Sequence, residues 1–380
     1  MKFSIKAKKI ITPDGTVEGY VNSNGGIIES VSTAPVYEVR AEYSDGYLVP
    51  GFVELHTHGA GGYPFLTEDA EVVARACDYH LAHGTTTILP TLSASPIAVM
   101  EKGVKAIKEA RDKGLCRANI VGAHLEGPYL SEKQCGAQCT DYITPPSEAD
   151  YTALVERYGD AIARWSYAPE RDEGGKFAKY LTSKGILPSA GHTDATYDDM
   201  KLAEESGCRL ITHLYSCTST ITRKFGFRSL GVIESTYLSD TMHAELIADG
   251  KHLPRELVRM IVKIMGTDRI ALITDSLEIA GTDIKEGFMA GTSFIVEDGV
   301  CKLRDRSAFA GSVATSDILF RFAVNECGFS VEDVCRMMSD VPARLIGLNA
   351  GRIESGRRCD LVHLTDELAV DAVYVLGEII

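Results

Sequence analysis

The chain has 380 residues, 45% of them hydrophobic, enough to bury a sizeable core as one large domain or as a large domain with a small one. A formal net charge of −14 excludes wholesale binding to a nucleic-acid backbone but leaves room for a local cationic pocket. No apolar run approaches the length of a membrane span, the N-terminus lacks a signal-peptide core, and the ten cysteines show no paired CxxC spacing; together these predict reduced thiols in the cytoplasm, with no membrane and no nucleic-acid partner.

Residues 2–48 read as short strands with turns at Pro13, Asp14, Gly15 and at Asn24, Gly25, Gly26. From residue 49 the pattern changes. A strand over 49–55 precedes a helix over 68–83, with Thr67 as its cap and Gly84 as its stop. The β-branched run 85–92 is a strand, and 96–113 is a helix closed by Gly114. The alternation then repeats, with strands at 118–125, 162–168, 186–191, 209–214, 242–248 and 269–274. Helices are expected at 147–158, 174–184, 196–206, 254–265, 315–327, 330–339 and 342–348. Eight strands alternating with helices predict a parallel sheet closed as a TIM-like (β/α)8 barrel; a doubly wound open sheet is the runner-up, and no GxGxxG turn favours it. Residues 286–310 read as a hairpin inserted before the last helices. The tail returns to β structure, so both chain ends are expected to pair into a small β-sandwich domain (1–48 and 350–380) beside the barrel (49–349).

The end of the first barrel strand carries two histidines, His56 and His58, one residue apart. On a strand they share a face and can grip one divalent ion. Glu126 follows the strand 118–125, and His192, His213 and Asp275 follow later strands. In a barrel all these positions converge on the C-terminal mouth. Each has an ordinary structural reading as a cap or surface group, but six at strand ends of one barrel point to a metal site. His80, His83, His124, His243 and His363 lack this convergence and read as packing or surface residues, His124 lying near Glu126.

The pattern resembles the amidohydrolase superfamily and, more narrowly, the N-acetylglucosamine-6-phosphate deacetylase family. The matching stretches are Pro50 to Gly59, His124 to Tyr129, Ala190 to Thr193, Thr212 to Tyr215, Ile247 to His252, Ile273 to Asp275 and Pro342 to Arg344. The resemblance implies that Glu126, His192 and His213 hold the main metal. His56 and His58, with Glu126 bridging, would hold a second ion in binuclear members. Asp275 would act as general base and then general acid, and His252 would bind the substrate's phosphate. An arginine from the neighbouring subunit would complete that phosphate site, implying a homodimer; Arg228 is the candidate, with Arg223 and Lys224 as rivals. The sequence departs from the family at Ser216 and Cys217, at Gln138, and over 222–228, all positions expected to touch sugar or phosphate rather than metal.

The implied reaction is hydrolysis of the N-acetyl amide of an amino-sugar phosphate: N-acetylglucosamine-6-phosphate and water give glucosamine-6-phosphate and acetate. One or two divalent ions would serve, zinc first, with iron, manganese or cobalt as alternatives. Two other readings stay open: an amidohydrolase acting on another N-acyl or cyclic amide, and a non-catalytic barrel that binds a sugar phosphate. Cys135 and Cys139, which flank Gln138, form the one close cysteine pair and a candidate redox gate.

Overall fold

The computed structural model describes residues 1–380, the side chain of Lys224 excepted. Eight strands form the barrel: Phe52–Thr57, Thr85–Leu92, Ala123–Glu126, Ile162–Tyr167, Leu187–Ala190, Leu210–Ile211, His243–Ile247 and Ile270–Ile273. Every pairing between them is parallel. The first and last meet at the top, where Asp275 N donates to His56 O at 2.9 Å and His58 N to Ser276 O at 2.8 Å. Strands covered on both faces read as continuous apolar and β-branched runs. Thr85–Leu92 is buried at every position for this reason.

Alternation along each strand separates two environments. Trp165 and Tyr167 point outward and meet Phe177, on the helix Lys176–Ser183, at ring-centroid distances of 5.2 and 5.5 Å. A buried aromatic ring of this kind is worth about 3–5 kcal/mol against alanine. Arg164, on the same strand, instead points inward and reaches Leu55 O and Thr212 inside the barrel. Side-chain caps fix where several outer helices begin: Ser147 accepts from Asp150 N, and Thr196 and Asp199 bond reciprocally at the start of Tyr197–Glu205.

The two chain ends share one sheet. Leu361–Leu364 pairs antiparallel with Tyr47–Pro50, which lies parallel to Lys2–Thr12. Phe3, Ile5, Val21, Ile28, Leu361 and Tyr374 make a core of its own. No helix of the described residues is long and apolar enough to cross a membrane.

Several boundaries differ from the sequence reading. The strand expected over 49–55 is two strands in two sheets, Tyr47–Pro50 and Phe52–Thr57. The chain passes between sheets at Gly51, where a Cβ would stand 2.1 Å from Thr86 Oγ1. The first helix is capped by Asp69, whose side chain accepts from Glu71 N, while Thr67 bonds Asp69 N one step earlier. The strand expected over 118–125 breaks into Asn119–Ile120 and Ala123–Glu126. The helix Val232–Leu238 escaped notice because seven residues, several of them β-branched, leave little periodicity. The insert at 286–311 is a four-stranded antiparallel sheet rather than one hairpin.

Candidate metal centre

The barrel delivers all six predicted side chains to one point. His56 and His58 share a strand face, with rings 5.3 Å apart, while Thr57 between them points away to His80 and Ser276. Glu126 Oε1 lies 3.1 Å from His192 Nε2 and 3.0 Å from His213 Nε2. Its Oε2 is 3.2 Å from His58 Nε2. Asp275 Oδ1 stands 3.4 Å from His56 Nε2 and 3.3 Å from His58 Nε2. His192, His213 and Asp275 have φ of 47°, 32° and 47°, values rare outside glycine. Such backbone persists where surrounding structure holds it, and it concentrates at functional sites.

The histidine tautomers follow from what each ring touches. His192 Nδ1 faces Gln134 O at 2.9 Å and His213 Nδ1 faces Ser216 O at 3.1 Å. A carbonyl can only accept, so each Nδ1 carries hydrogen and each Nε2 points inward without one in the neutral ring. His56 Nδ1 faces a Glu245 oxygen at 3.5 Å. Ser93 Oγ, which donates toward Met289 Sδ, receives His58 Nδ1 at 3.0 Å. Four Nε2 atoms and the oxygens of Glu126 and Asp275 thus converge as electron-pair donors. His192 Nε2 and His213 Nε2 come within 3.2 Å of each other. His56 Nε2 is buried with no hydrogen-bond partner among the described residues. Three trios can each place their donor atoms within 4.8 Å: His56, His58, Glu126; Glu126, His192, His213; and His56, His213, Asp275. A nitrogen and oxygen donor set crowded in this way fits a divalent ion.

Charge in the cluster follows from its burial and its carboxylates. Burial opposes charge on His56 and His58, but Glu126 and Asp275 prevail and raise them to about 10 and about 8. Burial would raise Asp275, yet His56 and His58 hold it below the usual carboxylate range. Burial lifts Glu54, beneath His56, to about 8 despite bonds from His56 N and Thr274 N.

A cavity of about 260 Å³ opens over these donors. Gln138, Ser216, Cys217 and His252 line it, and so do Met289 and Phe309 from the inserted sheet. His252 Nδ1 is held by Asp249 Oδ2 at 2.8 Å, which frees Nε2. Gln138 corrects the sequence reading in one respect. Its amide donates to Glu126 Oε2 at 2.7 Å, so this departure from the family pattern does touch a candidate metal ligand. Arg228 lies on the exposed hairpin Thr222–Lys224/Phe227–Ser229 and is not among the cavity's lining residues; the side chain of its rival Lys224 lies outside the described residues. All ten cysteines, Cys135 and Cys139 included, are free thiols. His124 bonds Thr91 and Ser166 within the barrel.

Sequence reasoning missed Glu245 and Arg164, which lie beneath the donors. A charged residue in the middle of an otherwise apolar, largely buried strand was the available signal for both.

A parallel barrel with a histidine and carboxylate cluster at its C-terminal mouth defines a metal-dependent hydrolase scaffold. A model described as the amidohydrolase family matches residues 47–380, and the chain belongs to that family. It is 29% identical over 341 residues to an N-acetylglucosamine-6-phosphate deacetylase of Lysinibacillus sphaericus, covering 90% of this chain and 87% of that protein. It is 28% identical over 340 residues to an N-acetylgalactosamine-6-phosphate deacetylase of Shewanella, covering 89% and 84%. The crystal structure of N-acetyl-D-glucosamine-6-phosphate deacetylase from Mycobacterium smegmatis superposes with a TM-score of 0.92 at 30% identity and covers 100% of both chains.

Proposed function

We propose that this protein hydrolyses the N-acetyl amide of N-acetylglucosamine-6-phosphate, releasing acetate and glucosamine-6-phosphate. The observation that carries the reading is the convergence of Glu126, His192, His213, His56 and His58 with Asp275 under one cavity, in a chain similar throughout to deacetylases of this class. Glu126, His192 and His213 would hold one ion, and His56 and His58, sharing Glu126, a second. A bound divalent ion, zinc or alternatively iron, manganese or cobalt, would lower the pKa of water to about 7 and polarise the acetyl carbonyl.

The chain's own residues do the rest. Asp275, ionised and 3.3–3.4 Å from the His56 and His58 Nε2 atoms, takes the proton of the attacking water. It returns that proton to the departing nitrogen, because an amine leaves poorly unprotonated. His252, with Nδ1 tied to Asp249, turns Nε2 toward the sugar phosphate. Ser216, Cys217 and Gln138 bound the sugar.

Acetate release from N-acetylglucosamine-6-phosphate, measured after stripping metal and restoring each ion in turn, tests the assignment. Turnover with at least one ion is expected, and no turnover of this or any related N-acetyl hexosamine phosphate would reject it. The galactosamine-type relative makes the C4 epimer the natural second substrate in the same assay.

The protein is further proposed to act as a homodimer. Phe225 and Phe227, 90% and 79% exposed on the hairpin that carries Arg228, form an apolar tip suited to a second copy. Arg228 would then complete the neighbour's phosphate site. Arg228→Ala should raise KM about tenfold or more for the phosphorylated sugar and leave the unphosphorylated sugar unaffected, whereas a monomer in sedimentation experiments would refute the shared site.

A further inference from the structure

Arg164 and Glu245 form an ion pair wholly inside the barrel, both fully buried, directly beneath the donor cluster. Every N–H of Arg164 is satisfied. Its Nε donates to Ser189 Oγ at 2.9 Å, Nη1 to Leu55 O at 3.2 Å and to Glu245 Oε1, and Nη2 to Thr212 Oγ1 and Glu245 Oε2, both at 2.8 Å. A buried pair of this kind is poor at raising stability, since well-packed apolar residues commonly do as well. Its value lies in what the fixed carboxylate faces.

Glu245 Oε2 faces both flanks of the cluster. It lies 3.5 Å from His56 Nδ1 and accepts the backbone N–H of His213 at 3.3 Å. A carboxylate clamped by a guanidinium can only accept, so it keeps hydrogen on His56 Nδ1 and turns Nε2 toward the cluster. That Nε2 is the buried atom with no hydrogen-bond partner among the described residues. Outer carboxylates that orient a ligand histidine in this way are commonly worth 10–100-fold in metal affinity.

We propose that Arg164 and Glu245 are positioning residues that hold the His56 ring in the orientation in which it faces the donor cluster, and so set the affinity of the seat on His56 and His58. The proposal rests on the two-ion reading above, and it adds the residues that brace the second seat. The experiment is cobalt titration of the metal-stripped protein, followed by visible absorption with a competing chelator. Two variants remove the contact differently. Glu245→Asp keeps the charge opposite Arg164 but draws the carboxylate back from His56. The double variant Arg164→Met/Glu245→Leu replaces the pair with apolar side chains that can pack in its place.

Wild type should bind two equivalents. Each variant should weaken the second equivalent 10–100-fold and the first, whose ligand His213 loses only a backbone contact to Glu245, by clearly less. A variant that binds both equivalents as wild type does, or a wild type that binds only one, overturns the proposal. Uptake of no metal by wild type overturns the functional reading itself, which separates the two failures. A measurement that needs no variant is proton NMR of the zinc-loaded wild type. A slowly exchanging His56 Nδ1 proton is expected, and its absence overturns the proposal.

Discussion

The two flanks of the donor cluster are anchored by different chemistry. On one flank, His192 and His213 lean their Nδ1 atoms on backbone carbonyls, Gln134 O and Ser216 O. On the other, His56 and His58 lean on side chains, Glu245 and Ser93. A carbonyl set by the course of the main chain survives any substitution that preserves the loop. A carboxylate or hydroxyl is lost with a single codon. The first flank is therefore the rugged seat and the second the tunable one, although Glu126 serves both.

The largest effect expected concerns the group that stands between the flanks. Asp275→Asn removes the proton acceptor and leaves all the imidazoles in place. Turnover should fall about 10²–10⁴-fold with metal uptake retained, as read by acetate release beside metal analysis. Unchanged turnover would remove Asp275 from the role of base.

The flanks should next separate by pH. With no ion bound, His56 at about 10 and His58 at about 8 both carry protons at pH 7. An ion seated there must displace them, so its affinity rises with pH and falls steeply below pH 8, by about two log units per pH unit. On the other flank burial opposes charge on both rings. His192 is nonetheless raised well above the usual range by Cys217 and Glu126, whereas burial keeps His213 below it. One displaced proton gives a slope of about one there. Equal slopes for the two equivalents would erase the distinction.

The smallest effect tests the hydroxyl anchor. Ser93→Ala removes the partner of His58 Nδ1 and should weaken the His56 and His58 seat by less than tenfold, leaving the first equivalent unchanged. A larger loss, or a loss confined to the other flank, would show that the anchors are not the controlling difference.

The barrel was legible because short apolar, β-branched runs alternate with helices, and the donors were legible because they close those runs. Boundaries were less so. At Gly51 the chain leaves one sheet for another without any interruption of the apolar run, so 49–55 read as one strand. The inserted sheet read as a hairpin, and its Met289 and Phe309 proved to wall the cavity. Gln138 read as a group for the sugar, yet it bonds Glu126, a contact set by how the loop after Glu126 folds back. Nothing at position 245 marked it as special beyond a charge in an apolar strand.

The sequence by itself determined the alternation of strands and helices, the barrel it implies, and the identity of the six side chains at the strand ends. Those follow from local periodicity and from residue chemistry, which the chain carries wherever it goes. The tertiary structure alone decided which nitrogen of each histidine faces inward and which carboxylate stands behind His56. It also decided that the inserted sheet walls the mouth. Each of these depends on contacts between residues far apart along the chain, such as the 189 positions that separate His56 from Glu245. No local pattern encodes such contacts.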